Sequence, residues 1–437
     1  MIDPKQVHEV LARHQLADGL PVVCDLRRSN GVWLHDSRSG EKFLDAFTCF
    51  ASWPLGFNHP KMRDEEFINR LLTAASTKLS NSDVYTCELA EFVQAFATRV
   101  TPEGFPHHFW VSGGALAVEN ALKVAFDWKA RKLGRTDFAA DVNDLVVLHF
   151  ERAFHGRSGY TLSLTNTIPD KVGLFPKFAW PRVPAPGIEF DLDGAVANDI
   201  EAAEAESCAA IERAFAAHAG KVAAIIIEPM QGEGGDRHFR PEFLAKLRGY
   251  ADEHEALLIF DEVQTGFFGS GKPWLWQHKE VRPDVVAFGK KTQVCGIYAS
   301  ARVDEVEDNV FRKASRINST WGGNLADMVR CQRFIDVIEE DDVAANCVAR
   351  GEQALEGLRH VARRTGAFTN VRGVGSLIAF SFPDGERRNA ALKALFAQKV
   401  LALASGPDSI RFRLPLVINE RDLGDLVRRV RAAVSGG

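Results

Sequence analysis

The sequence predicts an α/β protein: a mostly parallel central sheet flanked by helices, with a smaller α+β domain from the N- and C-terminal segments. Two observations carry this prediction. LVVLHF, AAIIIEPM, ALLIFDEV and DVVAFG are short continuous apolar runs, separated by helical stretches such as 199–217 and 241–253. Strands apolar on both faces belong to a sheet covered on both sides, which is the habit of parallel sheets. Beyond about residue 320 the pattern changes to helices followed by isolated extended segments. At 437 residues the chain is too long for one simple core, so cooperating units are expected, divided as 1–50, 51–320 and 321–437.

In chain order, Val7–Ala17 reads as a short helix, followed by extended pieces such as GVWLHD. SGGALAVENALKVAFDWKARK is a long helix with apolar Leu116, Leu122, Val124 and Phe126, and with basic residues at its C-terminal end, where the helix dipole favours them. WPRVPAPG, with three prolines, reads as a loop. The C-terminal part is expected to run as helices over 325–363, the extended piece GVGSLIAFSF, a helix over 386–400, the strand IRFRLPLVI and a closing amphipathic helix.

Composition excludes several function classes. A formal charge of -5 gives no electrostatic reason for nucleic acid or a membrane surface as partner. No apolar run is long enough to span a bilayer, and MIDPKQVHEVLARHQ lacks the apolar core of a signal peptide. Seven scattered cysteines without a CxxC pair fit free thiols in a reducing cytoplasm, with neither a disulfide framework nor a metal site.

In open parallel sheets ligands collect outside the carboxyl ends of the strands. Glu228, Asp261, Glu262 and Lys290 all fall there, as does the SGG turn that opens the long helix. Each alone reads as a loop cap, a solvated lysine or a tight turn. LLIFDE with GFFGSGKP imitates the two nucleotide motifs of a triphosphatase. However, Pro273 stands where the motif needs a magnesium-binding hydroxyl, and the loop does not begin its own strand–helix unit.

Together the residues fit pyridoxal 5′-phosphate better. That cofactor needs an imine-forming amine, a carboxylate that keeps its ring nitrogen protonated, an anion hole and a flat ring contact. Lys290, Asp261, the helix start at Gly114 and Ala115, and Phe154 supply these in turn. VVAFGKKTQVCG sets two lysines side by side at a strand end, so one of them is expected to be the reagent and the other structural.

The ordered motifs FHGR, EPMQGEGG, DEVQTG, STWGGN and IRFRLPL, with twenty-nine residues from Asp261 to Lys290, resemble the class III aminotransferases. This is the ornithine and 4-aminobutyrate transaminase group. GGALAVENALK, FHGRSGYTLSLTNT and FGKKTQVCG are similar to its L-lysine ε-aminotransferase branch. The resemblance runs from about residue 30 to the C-terminus. It implies fold type I of the pyridoxal-phosphate enzymes and a homodimer with shared active sites. It also implies transfer of the ε-amino group of L-lysine to 2-oxoglutarate; ornithine, 4-aminobutyrate or another ω-amine is the alternative donor.

Residue by residue, it implies Lys290 on the cofactor and Lys291 as its structural neighbour. Phe154 and His155 of FHGR would lie at the cofactor. Gln264 would bond the phenolic oxygen, and Thr320 would reach the phosphate from the partner subunit. Arg157 would hold the α-carboxylate of the diamino acid. Arg411, rather than Arg413 on the same strand face, would take the keto acid, and Glu233 would mask Arg411 while the amine donor is bound. Without the family, Glu233 and Arg411 read as a plain salt bridge. Trp53 and Phe57 are bulky residues that could reshape the substrate channel.

Overall fold

The computed structural model describes residues 2–435. Its centre is a seven-stranded sheet. In chain order the elements begin with α1 (Val7–Ala12), β1 (Trp33–His35), β2 (Lys42–Asp45), α2 (Glu65–Ser76) and α3 (Cys87–Arg99). The sheet is built from β3 (His107–Val111), β4 (Val146–Phe150), β5 (Arg182–Val183), β6 (Val222–Ile227), β7 (Leu257–Asp261), β8 (Val285–Phe288) and β9 (Cys295–Ala299). Between them run α4 (Gly114–Lys132), α5 (Ile200–Ala217) and α6 (Pro241–Glu253). Strand order is β3-β9-β8-β7-β6-β4-β5, and only β9 is reversed against its neighbours.

The continuous apolar runs have a direct cause. Ala224 and Ile226 of β6, with Leu257 and Ile259 of β7, bury against α4, whereas Ile225, Ile227, Leu258 and Phe260 bury against α5 and α6. Alternate residues point to opposite faces, so both faces must be apolar. Each fully buried isoleucine contributes roughly 1.5–3 kcal/mol. The expected loop WPRVPAPG contains β5, whose two residues pair with β4 at the sheet edge.

After the sheet come α7 (Leu325–Glu340), α8 (Val343–Thr365), β10 (Thr369–Val374) and β11 (Leu377–Ser381). Then follow α9 (Gly385–Ala397), β12 (Val400–Leu401), β13 (Leu403–Ser405), β14 (Ser409–Arg413) and α10 (Glu420–Ser435). GVGSLIAFSF is a hairpin rather than one extended piece, turning at Gly375 with φ +56°. The first helix stops at Ala12, earlier than the sequence suggests, because it buries no residue to stabilise further turns.

β2 pairs in parallel with β12, and Val32 and Leu44 share a core with Leu358, Phe380 and Phe412. The N- and C-terminal segments are thus joined by strand pairing and a shared apolar core. The apolar core divides within α8: α7 and Cys347 pack with the large unit, Ala354 and Leu358 with the small one. Leu325 to Ile338 of α7 thus share an apolar core with one face of the sheet. No helix among the described residues is long and apolar enough to cross a membrane.

Candidate active site

A cavity of about 580 Å³ opens at the carboxyl ends of the parallel strands. Asp261 ends β7, Glu228 directly follows β6, and Lys290 follows β8 by two residues. The loop after β4 brings Phe154, His155 and Arg157 to the same wall, and the first turn of α4 closes it.

Lys290 has φ +55°, which turns the chain sharply as it leaves β8 and separates the two lysines. Lys290 lines the cavity. Burial, followed by the charge of Arg411, pulls its amine down to about 8. Lys291 is buried away from the cavity and donates to the carbonyls of Gln264 (2.6 Å) and Gly266 (3.1 Å). It ties down the DEVQTG turn from beneath, and burial pushes its amine to about 7.

Asp261 is held on both oxygens. Val263 N–H donates to Oδ1 (3.0 Å), and His155 Nδ1 donates to Oδ2 (2.8 Å). Buried His155 in turn has its backbone N–H on Thr165 Oγ1 at 2.9 Å. Glu228, which the sequence marks only as a strand-ending carboxylate, has a definite task. It accepts from the N–H groups of Phe154 (3.0 Å) and Gly232 (2.9 Å), tying two cavity loops to β6. Burial raises its carboxyl to about 7. Its donors are backbone N–H groups, which leave no mark in sequence.

Gly113 caps α4 with φ +111° and no side-chain bond, so the first-turn N–H groups face the cavity without a capping oxygen. An uncapped helix start of this kind receives anions. Gly232 has another reason to be glycine: a Cβ there would lie 2.2 Å from Gln264 Oε1.

Gln264 lines the cavity, and its Oε1 accepts from Arg411 Nη1 (3.1 Å) and Arg413 Nη2 (2.6 Å). The two arginines do share a strand face, but their partners differ. Arg413 is locked onto Asp236 by two bonds of 2.6 and 2.7 Å, both side chains buried. Arg411 has no carboxylate partner among the described residues; it stands behind Gln264, not on the cavity wall. No Glu233–Arg411 salt bridge forms. Glu233 lines the cavity and is bonded instead to Thr167 and Lys171.

Arg157 is exposed on the cavity rim with no ion-pair partner among the described residues. Thr320 is exposed and does not line the cavity of its own chain. Phe57 packs in the small N-terminal cluster with Leu20 and Phe47, and Ser52 rather than Trp53 reaches the cavity. GFFGSGKP is no phosphate loop: Phe267 N–H closes a turn onto Pro273, and only a short 3₁₀ turn follows.

A family profile described as aminotransferase class-III matches residues 16–434. The chain belongs to the class-III aminotransferases. Among members of the family, the L-lysine-epsilon aminotransferase of Amycolatopsis lactamdurans is 48% identical, over 99% of this chain and 96% of its own length. That of Streptomyces clavuligerus is 46% identical over 99% and 94%. The solved lysine aminotransferase of M. tuberculosis superposes with a TM-score of 0.94 at 48% identity, covering 99% of both chains.

Class-III aminotransferases are pyridoxal-phosphate enzymes of fold type I, and the cavity of this one fits that cofactor. It offers a lysine amine lowered to about 8, a fixed carboxylate, an uncapped helix start and a phenylalanine on one wall. A pH dependence follows. Only neutral Lys290 can attack an aldehyde, and about half of it is neutral at pH 8, against under about 1% for an ordinary lysine. Mixing cofactor-free protein with pyridoxal phosphate should give a binding rate that rises about tenfold per pH unit below 8 and levels above it. A rate still climbing at the same slope beyond pH 9.5 would contradict the lowered amine.

Proposed function

We propose that the chain transfers the ε-amino group of L-lysine to 2-oxoglutarate, giving 2-aminoadipate 6-semialdehyde and L-glutamate. It would do so as a cytoplasmic homodimer with shared active sites. The observation that carries the reading is the convergence of Lys290, Asp261 and unpaired Arg157 on one cavity. The lysine specificity named for the relatives supports the choice of donor.

When bound, the cofactor's cationic ring withdraws the electrons released as the substrate carbon loses its proton. Lys290 would supply the amine that holds the cofactor, and its Nζ would carry the proton taken from the substrate's ε-carbon. Asp261, oriented by Val263 N–H and His155, would face the ring nitrogen and favour its protonated form. Phe154 would cover the ring face, Gln264 would bond its phenolic oxygen, and the N–H groups of Gly114 and Ala115 would receive the phosphate. Thr320 would add a hydroxyl to the phosphate in the partner's cavity.

Arg157 pairs with the α-carboxylate of lysine, placing the far amine at Lys290. With 2-oxoglutarate the same arginine takes the distal carboxylate, and Arg411 takes the one beside the keto group. Glu233 neutralises Arg411 only while the amine donor is bound.

Donors followed one at a time in single turnover test the reading. Lysine should exceed ornithine by about 10–200-fold, the range one methylene supplies in an apolar channel, and should also exceed 4-aminobutyrate, which is shorter by two carbons and has no α-amine. A faster reaction with either competitor would reassign the donor. Glu233→Ala should lower kcat/KM for lysine about tenfold and that for 2-oxoglutarate under about threefold, the signature of a lost donor-specific interaction. Equal losses would remove the switch.

A further inference from the structure

Glu233 has a second cationic partner that the Arg411 switch does not account for. Its Oε1 accepts from Lys171 Nζ and from Thr167 Oγ1, each at 2.6 Å. Thr167 is the last residue of FHGRSGYTLSLTNT and Lys171 lies in the short helical turn that follows, both well away in sequence from QGEGG. Lys171 also lies 5.5 Å from the centroid of Phe154, the ring on the cavity wall. Meanwhile Arg411 is buried with Nε unbonded and only the neutral oxygen of Gln264 on Nη1. Arg413 cannot release Asp236 to it, because that pair is closed by two bonds. A buried guanidinium without a counter-charge is costly, so Arg411 favours any carboxylate that comes within reach.

We propose that Lys171, assisted by Thr167, is a positioning residue that docks Glu233 away from Arg411 and so sets how readily the site admits the keto acid. This rests on the transaminase reading above. Two cations then compete for one carboxylate. With Glu233 on Lys171, Arg411 is free for a dicarboxylate; with Glu233 on Arg411, the site suits the amine donor. A ligand can shift such an equilibrium only through its different affinity for the two states, and Lys171 fixes the starting ratio. The Lys171–Glu233 pair is only partly buried, at 29% and 16% side-chain exposure, so its hold is modest and reversible.

The test uses the holoenzyme and glutarate, a dicarboxylate that binds without reacting. In Lys171→Met, glutarate binding measured by calorimetry and KM for 2-oxoglutarate should both worsen about 3–10-fold, while KM for lysine stays level or falls. Lys171→Arg should rescue most of the loss. In a Glu233→Ala background, Lys171→Met should have no further effect, because no carboxylate is left to compete for. If the loss persists in that background, Lys171 attracts the dicarboxylate directly and the proposal fails. It also fails if both half-reactions decline together, as they would from a merely structural role. A wild-type chain that turns over both substrates while Lys171→Met behaves in either of those ways overturns this inference alone. A wild-type chain inert toward every ω-amine overturns the transaminase reading as well.

Discussion

Lys290→Ala should leave a folded protein with no measurable transamination and no visible absorbance from a lysine-bound cofactor. Two losses combine. The variant has no amine to hold the cofactor covalently and none to move the substrate proton. Proton transfer by a positioned group alone is worth about 10²–10⁴-fold, so the deficit should be at least about 10⁴-fold. Folding should survive, because Lys290 sits on a cavity wall and the chain reversal is closed by Gln293 N–H on its backbone carbonyl. Lys291 cannot substitute, since its amine is committed to two carbonyls beneath the turn. Steady-state assays and an absorbance spectrum check this; more than a few per cent of wild-type activity would refute the role.

Asp261→Asn should reduce kcat by about 10²–10⁴-fold while the protein stays folded, which corresponds to roughly 3–5 kcal/mol of barrier. Asparagine keeps the size and can still accept from Val263 N–H, but it carries no charge to retain a proton on a ring nitrogen opposite. The His155 bond at 2.8 Å orients that charge, so His155→Phe should reproduce part of the loss. Wild-type turnover in Asp261→Asn would mean the ring is not kept cationic from this side.

The sheet and the strand-end residues were legible in the sequence for one reason. Alternating burial on both faces makes each strand a continuous apolar run, and a polar residue ending such a run marks its carboxyl end. Lys290, Asp261 and Glu228 were all visible in that way. Contacts to backbone groups were not, because a carbonyl or N–H carries no side-chain signal; hence the purchase of Lys291 on Gln264 and Gly266, and the task of Glu228, emerge only from the fold. Thr167 and Lys171 are equally silent, since their approach to Glu233 depends on how a surface loop lies over the cavity rim. The packing of α7 has a similar origin. Amphipathic periodicity shows that α7 buries a face, but not which core receives it.

Reducing the holo-protein with borohydride and mapping the labelled peptide tests the central claim most directly. A pyridoxyl group on Lys290 alone, in VVAFGKKTQVCG, is the predicted result. Label on Lys291, on some other lysine, or on none would contradict it.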